Sequence, residues 1–188
     1  MILKPAKETF IYQDKIDPKI CKDLIKWFKD NRKSAVPGST FYGVDTKTKD
    51  SEDIYIHPIF NDYPFNKYKE GLQKVLDGYM KTYPETQQNL ARYTVAELIN
   101  LQYYKPGGGF KKLHCERSNA GNAERVLVFM TYLNTAKDAG TEFPNQNFTS
   151  QCVCGNTLIW PTDWTHSHKG VINMKKEKYI ITGWWSFF

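Results

Sequence analysis

From about residue 94 onward the chain breaks into short β-prone runs, and this change of texture constrains its fold more than any other feature. The runs cover 93–104, 110–116, 125–133, 151–153, 157–161, 165–171 and 178–185, with Gly107-Gly108-Gly109 as the plainest turn. Many short strands divided by turn signals predict a β-sandwich or jelly roll rather than a βαβ sheet. The first half has a helical period instead. Asp17-Pro18 is a capping residue followed by a first-turn proline, and it opens a helix over 17–31 with Ile20, Leu24, Trp27 and Phe28 on one face. A second helix is predicted over 64–81, with Tyr68, Leu72, Val75, Leu76 and Tyr79 turned inward. Segments 34–50 and 82–89 read as loops. The expectation is an α+β, β-dominated chain with a single domain over 1–188. Residues 1–92 would be mainly helical support, and 93–188 the β core that carries the active site.

A chain of 188 residues can bury a core without disulfide or metal staples. Its 40% hydrophobic and 24% charged content is that of a soluble globular protein. The net charge of +6 permits an acidic partner. However, the lysines are scattered (Lys22, Lys26, Lys29, Lys33, Lys47, Lys49, Lys67, Lys69), which fits a solvated surface better than a nucleic-acid groove. Four cysteines do not make a disulfide framework, and Cys152 and Cys154 read as packed thiols on one strand face. Met1-Ile2-Leu3-Lys4-Pro5 runs into charge rather than an apolar stretch, and no run reaches bilayer length. The expected location is cytoplasmic, with no membrane partner.

The chemistry concentrates in the second half. In His114-Cys115-Glu116, on a strand, the histidine and glutamate share one face and the cysteine points away. About fifty residues later come His166 and His168, either of which could supply a second imidazole. Two imidazoles and one carboxylate form the donor set of a non-haem Fe(II) centre, which leaves positions free for a co-substrate and O2. Taken singly, His114 is equally a hydrogen-bonded core histidine, and Glu116 a solvated edge residue. Their coincidence with a distant histidine favours the metal. Lys178 heads an apolar strand; turned inward it would need a carboxylate partner, and no fixed acid is evident. That suits a carboxylate ligand from outside. Tyr104 and Tyr132 are either core tyrosines or phenols sharing that pocket. His57, in Ile54-Tyr55-Ile56-His57-Pro58, reads as structural.

Several ordered motifs then carry a resemblance. Tyr104-Lys105-Pro106-Gly107-Gly108-Gly109-Phe110 precedes His114, and Arg125 leads a strand ending Tyr132-Leu133-Asn134. Gly140-Thr141-Glu142-Phe143-Pro144 and Trp160-Pro161 follow, then His168, Gly170-Val171 and, ten positions beyond the histidine, Lys178. In this order they resemble the 2-oxoglutarate- and Fe(II)-dependent dioxygenases, specifically the prolyl 4-hydroxylase-like branch in its compact phage or bacterial form, over 98–188. The resemblance implies a double-stranded β-helix (jelly roll) buttressed by the N-terminal helices. His114, Glu116 and His168 would bind iron. Lys178 would hold the far carboxylate of 2-oxoglutarate with Tyr104 and Tyr132 nearby, and Arg125 and Trp184 would line the peptide side. The implied cofactors are Fe(II), 2-oxoglutarate and O2, with ascorbate as an optional addition, and the implied partner is a peptide or protein substrate. A phage-encoded member would act in the host cytosol. The branch normally has aspartate where Glu116 stands, and glutamate carries its carboxylate farther out by roughly one C–C bond, about 1.5 Å. It is still a hard anionic ligand.

Three functions compete. The first is hydroxylation of peptidyl proline, in the manner of a procollagen-type prolyl 4-hydroxylase. The second is the same chemistry on a free amino acid, small metabolite or nucleobase. The third is a non-catalytic metal- or partner-binding jelly-roll module. Succinate formation separates the third from the others, and substrate profile separates the first two.

Overall fold

The computed structural model describes residues 8–40 and 42–188. The opening Met1 to Pro5, read above as lacking a signal sequence, lies outside them. In chain order the first half holds β1 (Tyr12–Lys15), α1 (Pro18–Asp30), β2 (Val36–Pro37), β3 (Lys49–Asp50), β4 (Glu52–Ile56), α2 (Phe65–Thr82) and α3 (Glu85–Gln88). The second holds β5 (Tyr93–Thr94), β6 (Ile99–Tyr104), β7 (Gly109–Phe110), β8 (Arg125–Tyr132) and β9 (Thr141–Phe143). It continues with β10 (Phe148–Thr149), β11 (Asn156–Pro161), β12 (Lys169–Gly170) and β13 (Lys178–Phe187).

One large antiparallel sheet runs β1-β11-β8-β13-β6-β4-β2, with β5 added on β13. A small sheet, β10-β9-β12, and the β3–β7 pair form a second layer. Successive side chains on a strand face opposite ways, so each central strand feeds two cores. Tyr179 and Ile181 of β13, Leu127 and Phe129 of β8, and Ile99 and Leu101 of β6 pack with α1 and α2. The alternate residues Ile180, Val128, Met130, Leu158 and Trp160 meet Phe143 and the second layer. Burial on both faces explains why these strands read as unbroken apolar runs. The architecture is the expected β-dominated jelly roll with helices against one face.

Helix α1 starts and ends for visible reasons. The Asp17 carboxylate accepts from the Lys19 amide at 2.8 Å with Pro18 in the first turn, and the Asn31 side chain donates to the Trp27 carbonyl at 2.9 Å. Helix α1 buries Cys21, Leu24 and Phe28; α2 buries Phe65, Tyr68, Leu72, Val75, Leu76 and Tyr79. Among the described residues no helix is long and apolar enough to cross a membrane.

Several expectations need correction. The region 1–92 supplies strands as well as helical support: β1 takes one edge of the large sheet and β4 and β2 the other. Edge strands expose one flank, and β1 is largely exposed, so it lacks the apolar alternation that marks a strand. The 82–89 loop contains the short helix α3. Residues 151–153 form no strand, and Cys152 and Cys154 instead donate to the carbonyls of Asn134 and Leu133. Lys49, counted among surface lysines, is only 4% exposed and pairs with buried Asp53 at 2.5 Å.

Phe28 is fully buried against Tyr103 and Tyr179. Truncation of such a ring removes its transfer energy and leaves a cavity, so Phe28→Ala should destabilise the chain by about 3–5 kcal/mol. Urea unfolding measures this, and a loss below about 1 kcal/mol would contradict the helix–sheet packing described here.

Candidate active site

The cavity between the layers, about 910 Å³, is lined by the alternate residues of the large sheet, among them Gln102, Tyr104, Lys178, Ile180, Thr182 and Trp184. At one end stand His114, Glu116 and His168, whose ligand atoms all lie within 4.8 Å of one another. Glu116 Oε1 is 3.4 Å from the Nε2 atoms of both histidines.

They converge for a different reason from the one read in the sequence. Residues 111–116 form no continuous strand; His114 is held by a two-residue antiparallel bridge to His168, with amide–carbonyl bonds of 3.0 and 2.8 Å. The Glu116 amide donates to the Thr162 carbonyl at 3.1 Å. The β-prone run 165–171 is not a strand at its start, since His166 lies in a 3-10 turn (Trp164–His166). The ring nitrogens of His166 bond Thr165 Oγ1 at 3.0 Å and the Thr9 carbonyl at 2.9 Å, whereas His168 faces the cavity.

The tautomers follow from the hydrogen bonds. His114 Nδ1 lies 2.9 Å from the Lys112 carbonyl, and His168 Nδ1 lies 2.9 Å from the His166 carbonyl. A carbonyl only accepts, so each Nδ1 carries the proton and each Nε2 presents a lone pair. Burial pushes His168 below its ordinary pKa, which keeps it neutral at pH 7. Burial pushes the Glu116 carboxyl up, while the Trp184 N–H at 3.1 Å and Arg125 Nη1 at 3.7 Å favour its ionised form. Two lone pairs and an anionic oxygen thus face one another, and a cation between them satisfies all three. The rings are fixed from behind: Phe110 stacks on His114 at 3.6 Å, and Trp160 meets His168 edge-on at 5.0 Å.

Lys178 is 6% exposed and lines the same cavity. Its Nζ donates to the Ala139 carbonyl at 3.1 Å and lies 5.2 Å from the Tyr104 ring centre, with no carboxylate in reach among the described residues. Burial lowers its pKa to about 8. Tyr104 also lines the cavity, and its hydroxyl donates to Gln102 at 2.6 Å. Tyr132, expected beside it as a co-substrate donor, is not part of the lining. Its hydroxyl is engaged by Thr141 and Ser150, both at 2.7 Å, beneath the cavity wall. Thr141 is the residue that reaches the lining there. It belongs to the Gly140-Thr141-Glu142-Phe143-Pro144 motif, where a threonine carries no local signal of facing a cavity.

Arg125 and Trp184, expected to face a peptide, border the cavity with their polar atoms directed elsewhere. Arg125 forks onto Glu97 at 2.8 and 2.5 Å and donates to the Glu116 carbonyl at 3.0 Å, while Trp184 Nε1 donates to Glu116 Oε2 at 3.1 Å. All three guanidinium nitrogens are therefore anchored within the protein. Nothing in the local sequence around Glu97 signalled its part in this arrangement.

The family model described as the 2OG-Fe(II) oxygenase superfamily matches residues 99–186. That stretch contains His114, Glu116, His168 and Lys178. No curated protein matches the sequence. Among solved structures, a Pseudomonas putida prolyl-4-hydroxylase is similar at TM-score 0.71 and 13% identity, over 95% of this chain and 92% of that one. A viral collagen prolyl hydroxylase from Paramecium bursaria Chlorella virus-1, in its 2OG complex, gives 0.70 and 15% over 96% and 97%. A Trichoplax adhaerens prolyl hydroxylase, in complex with a peptide fragment of a hypoxia-inducible-factor degradation domain, gives 0.69 and 13% over 94% and 83%. The matched stretch, 99–186, thus resembles the 2OG-Fe(II) oxygenase superfamily. The chain as a whole has the fold of the prolyl 4-hydroxylase-like branch.

The desolvation of Lys178 gives a test with a definite sign. Its folded pKa of about 8 lies below the unfolded value, so between those values the unfolded chain binds more protons and stability rises with pH. Below about 8 both states are protonated, and the burial penalty, up to about 3 kcal/mol, is fully present. Lys178→Met should therefore be more stable than wild type near neutrality, with the gap narrowing from about pH 8 upward. Denaturant unfolding across that range measures it. A gap that does not change with pH would mean the amine is not desolvated.

Proposed function

We propose that this protein is a 2-oxoglutarate- and Fe(II)-dependent dioxygenase that hydroxylates a proline in a flexible peptide segment. The observation that carries this reading is the pairing, in one cavity, of three converging metal-ligand atoms with a buried lysine that has no acid partner among the described residues. His114 Nε2, Glu116 Oε1 and His168 Nε2 are the atoms that would hold Fe(II), a donor set this metal favours. Lys178 would pair with the far carboxylate of 2-oxoglutarate, a charge-assisted bond strengthened by burial. Iron with 2-oxoglutarate and O2 supplies the oxidising power for the C–H bond, coupled to decarboxylation of the co-substrate.

The residues of the chain bind, orient and exclude water. The carbonyls of Lys112 and His166 keep both imidazoles in the ligating tautomer. Phe110, Phe143 and Trp160 pack about the two rings and shut solvent from their rear faces. Tyr104, held by Gln102, forms the wall beside Lys178. The peptide part of the reading rests on the open cavity and on the likeness to prolyl hydroxylases, one of them bound to a peptide. Proline suits an extended ligand because its fixed φ and missing N–H reduce the ordering required.

Incubation with Fe(II), 2-oxoglutarate and a panel of proline-containing peptides should give succinate and peptides heavier by one oxygen atom. His114→Ala and His168→Ala should each abolish Fe(II) binding, His166→Ala should leave most of it, and Lys178→Ala should weaken 2-oxoglutarate binding while sparing iron. Faster oxidation of a free amino acid or nucleobase than of any peptide would overturn the substrate, and no succinate with any substrate would overturn the enzyme.

A further inference from the structure

The glutamate that stands where aspartate is usual needs explaining in physical terms. Its additional rotatable bond must be ordered before the carboxylate can serve as a ligand. Its two oxygens are also chemically equivalent, so an untethered group could turn either or both toward the imidazoles. In this chain they are made inequivalent. Oε1 faces the two Nε2 atoms at 3.4 Å, while Oε2 accepts the Trp184 indole N–H at 3.1 Å and lies 3.7 Å from Arg125 Nη1. The same Nη1 donates to the Glu116 backbone carbonyl at 3.0 Å, so one guanidinium holds both the main chain and the far oxygen of this residue.

The guanidinium is itself immobilised. Glu97 binds it through both carboxylate oxygens, and Ser186 Oγ donates to Glu97 Oε1 at 3.2 Å. The guanidinium carbon lies 3.6 Å from the Trp184 ring centre, a contact that orients the indole whose N–H reaches Oε2. Ser186 and Trp184 share one face of β13, and Arg125 starts the neighbouring strand β8. Arg125, Trp184 and Ser186 therefore sit on the sheet, and they anchor Glu97 and Glu116, which lie in the connections beside it.

We propose that Glu97, Arg125 and Trp184 are positioning residues that fix the Glu116 side chain, so that a single carboxylate oxygen faces the imidazoles. This proposal rests on the metal reading above. The clamp makes the longer acid serviceable as a ligand: it holds the additional methylene in one conformation and keeps the second oxygen out of the metal position, which leaves room there for a co-substrate.

Co(II) titration of metal-free protein, read by its visible absorption and by calorimetry, tests this without turnover. Trp184→Phe removes the N–H while keeping an aromatic plate under Arg125. It should weaken Co(II) binding by about 10–100-fold, the usual effect of losing a hydrogen bond behind a metal ligand. Glu97→Gln should act in the same direction, because Arg125 loses its charged anchor. A merely structural tryptophan would have the same effect whatever acid stood at position 116, whereas the clamp requires the longer arm. In the Glu116→Asp background, where the carboxylate is drawn back from the indole, Trp184→Phe should change affinity by less than about threefold. Equal affinity in wild type and Trp184→Phe, or an undiminished loss in the Glu116→Asp background, would overturn the clamp and leave the metal site standing. Failure of the wild-type chain to bind Co(II) at all would overturn both.

Discussion

The two-sided burial of β6, β8 and β13 is the constraint on which the rest of the structure depends. Register pairs Lys178 with Tyr104, Ile180 with Gln102 and with Tyr132, and Trp184 with Val128. One parity of these strands faces the helices and the other faces the cavity. The bonds that seat Tyr179 and Ile181 against α1 and α2 therefore also aim Lys178, Thr182 and Trp184 into the site. A slip of one residue would exchange the two sets and place an ammonium group in the helix-side core. Support and chemistry are thus one structural decision, and the N-terminal helices act on the site through the sheet without touching it.

Much of this was legible in the sequence because strong local signals happened to agree with the tertiary outcome. The Asp17-Pro18 cap and the spacing of Leu24 and Phe28 specify α1 through local physics alone, and the observed helix begins and ends within a residue of the expected bounds. The edge strand β1 was not legible. It is recruited by pairing with β11, and an exposed, polar strand needs no pattern of its own to accept main-chain bonds from a neighbour. The burial of Lys49 was hidden for a similar reason. A lysine in a Gly- and Thr-rich loop looks solvated, and only the β3–β7 pairing and the proximity of Asp53 internalise it.

The site shows the same division. His114 and Glu116 were read as neighbours on a strand face, but their convergence comes from the bridge to His168 and the tether to Thr162, long-range contacts that no spacing rule contains. Tyr132 and Arg125 were assigned by position in a motif. The structure turns the first toward Thr141 and Ser150 and the second toward Glu97 and Glu116, partners that differ from motif to motif even when the residue does not. A motif fixes which residue types are present; the competing hydrogen bonds around them decide which atoms remain free for a ligand.

Two lysines in the cavity wall make the last step of that argument. Lys49 and Lys178 are similarly buried, at 4% and 6% exposure. Lys49 has Asp53 at 2.5 Å, and Asp53 is in turn bonded by Ser51 at 2.7 Å, so this fold places and supports an internal counter-ion where a cation is to be neutralised. Among the described residues Lys178 has a carbonyl and the Tyr104 ring but no acid, although desolvation of a cation is unfavourable there too. At the other end of the cavity the imbalance has the opposite sign, with an anionic Glu116 oxygen between two lone pairs. A divalent cation at one end and a dicarboxylate reaching to the other would relieve both at once. The Lys49–Asp53 pair supplies the internal comparison: the same cavity carries one cation with a built-in acid and one without, and the second is the one on the strand face it shares with Trp184, whose N–H meets the carboxylate at the far end.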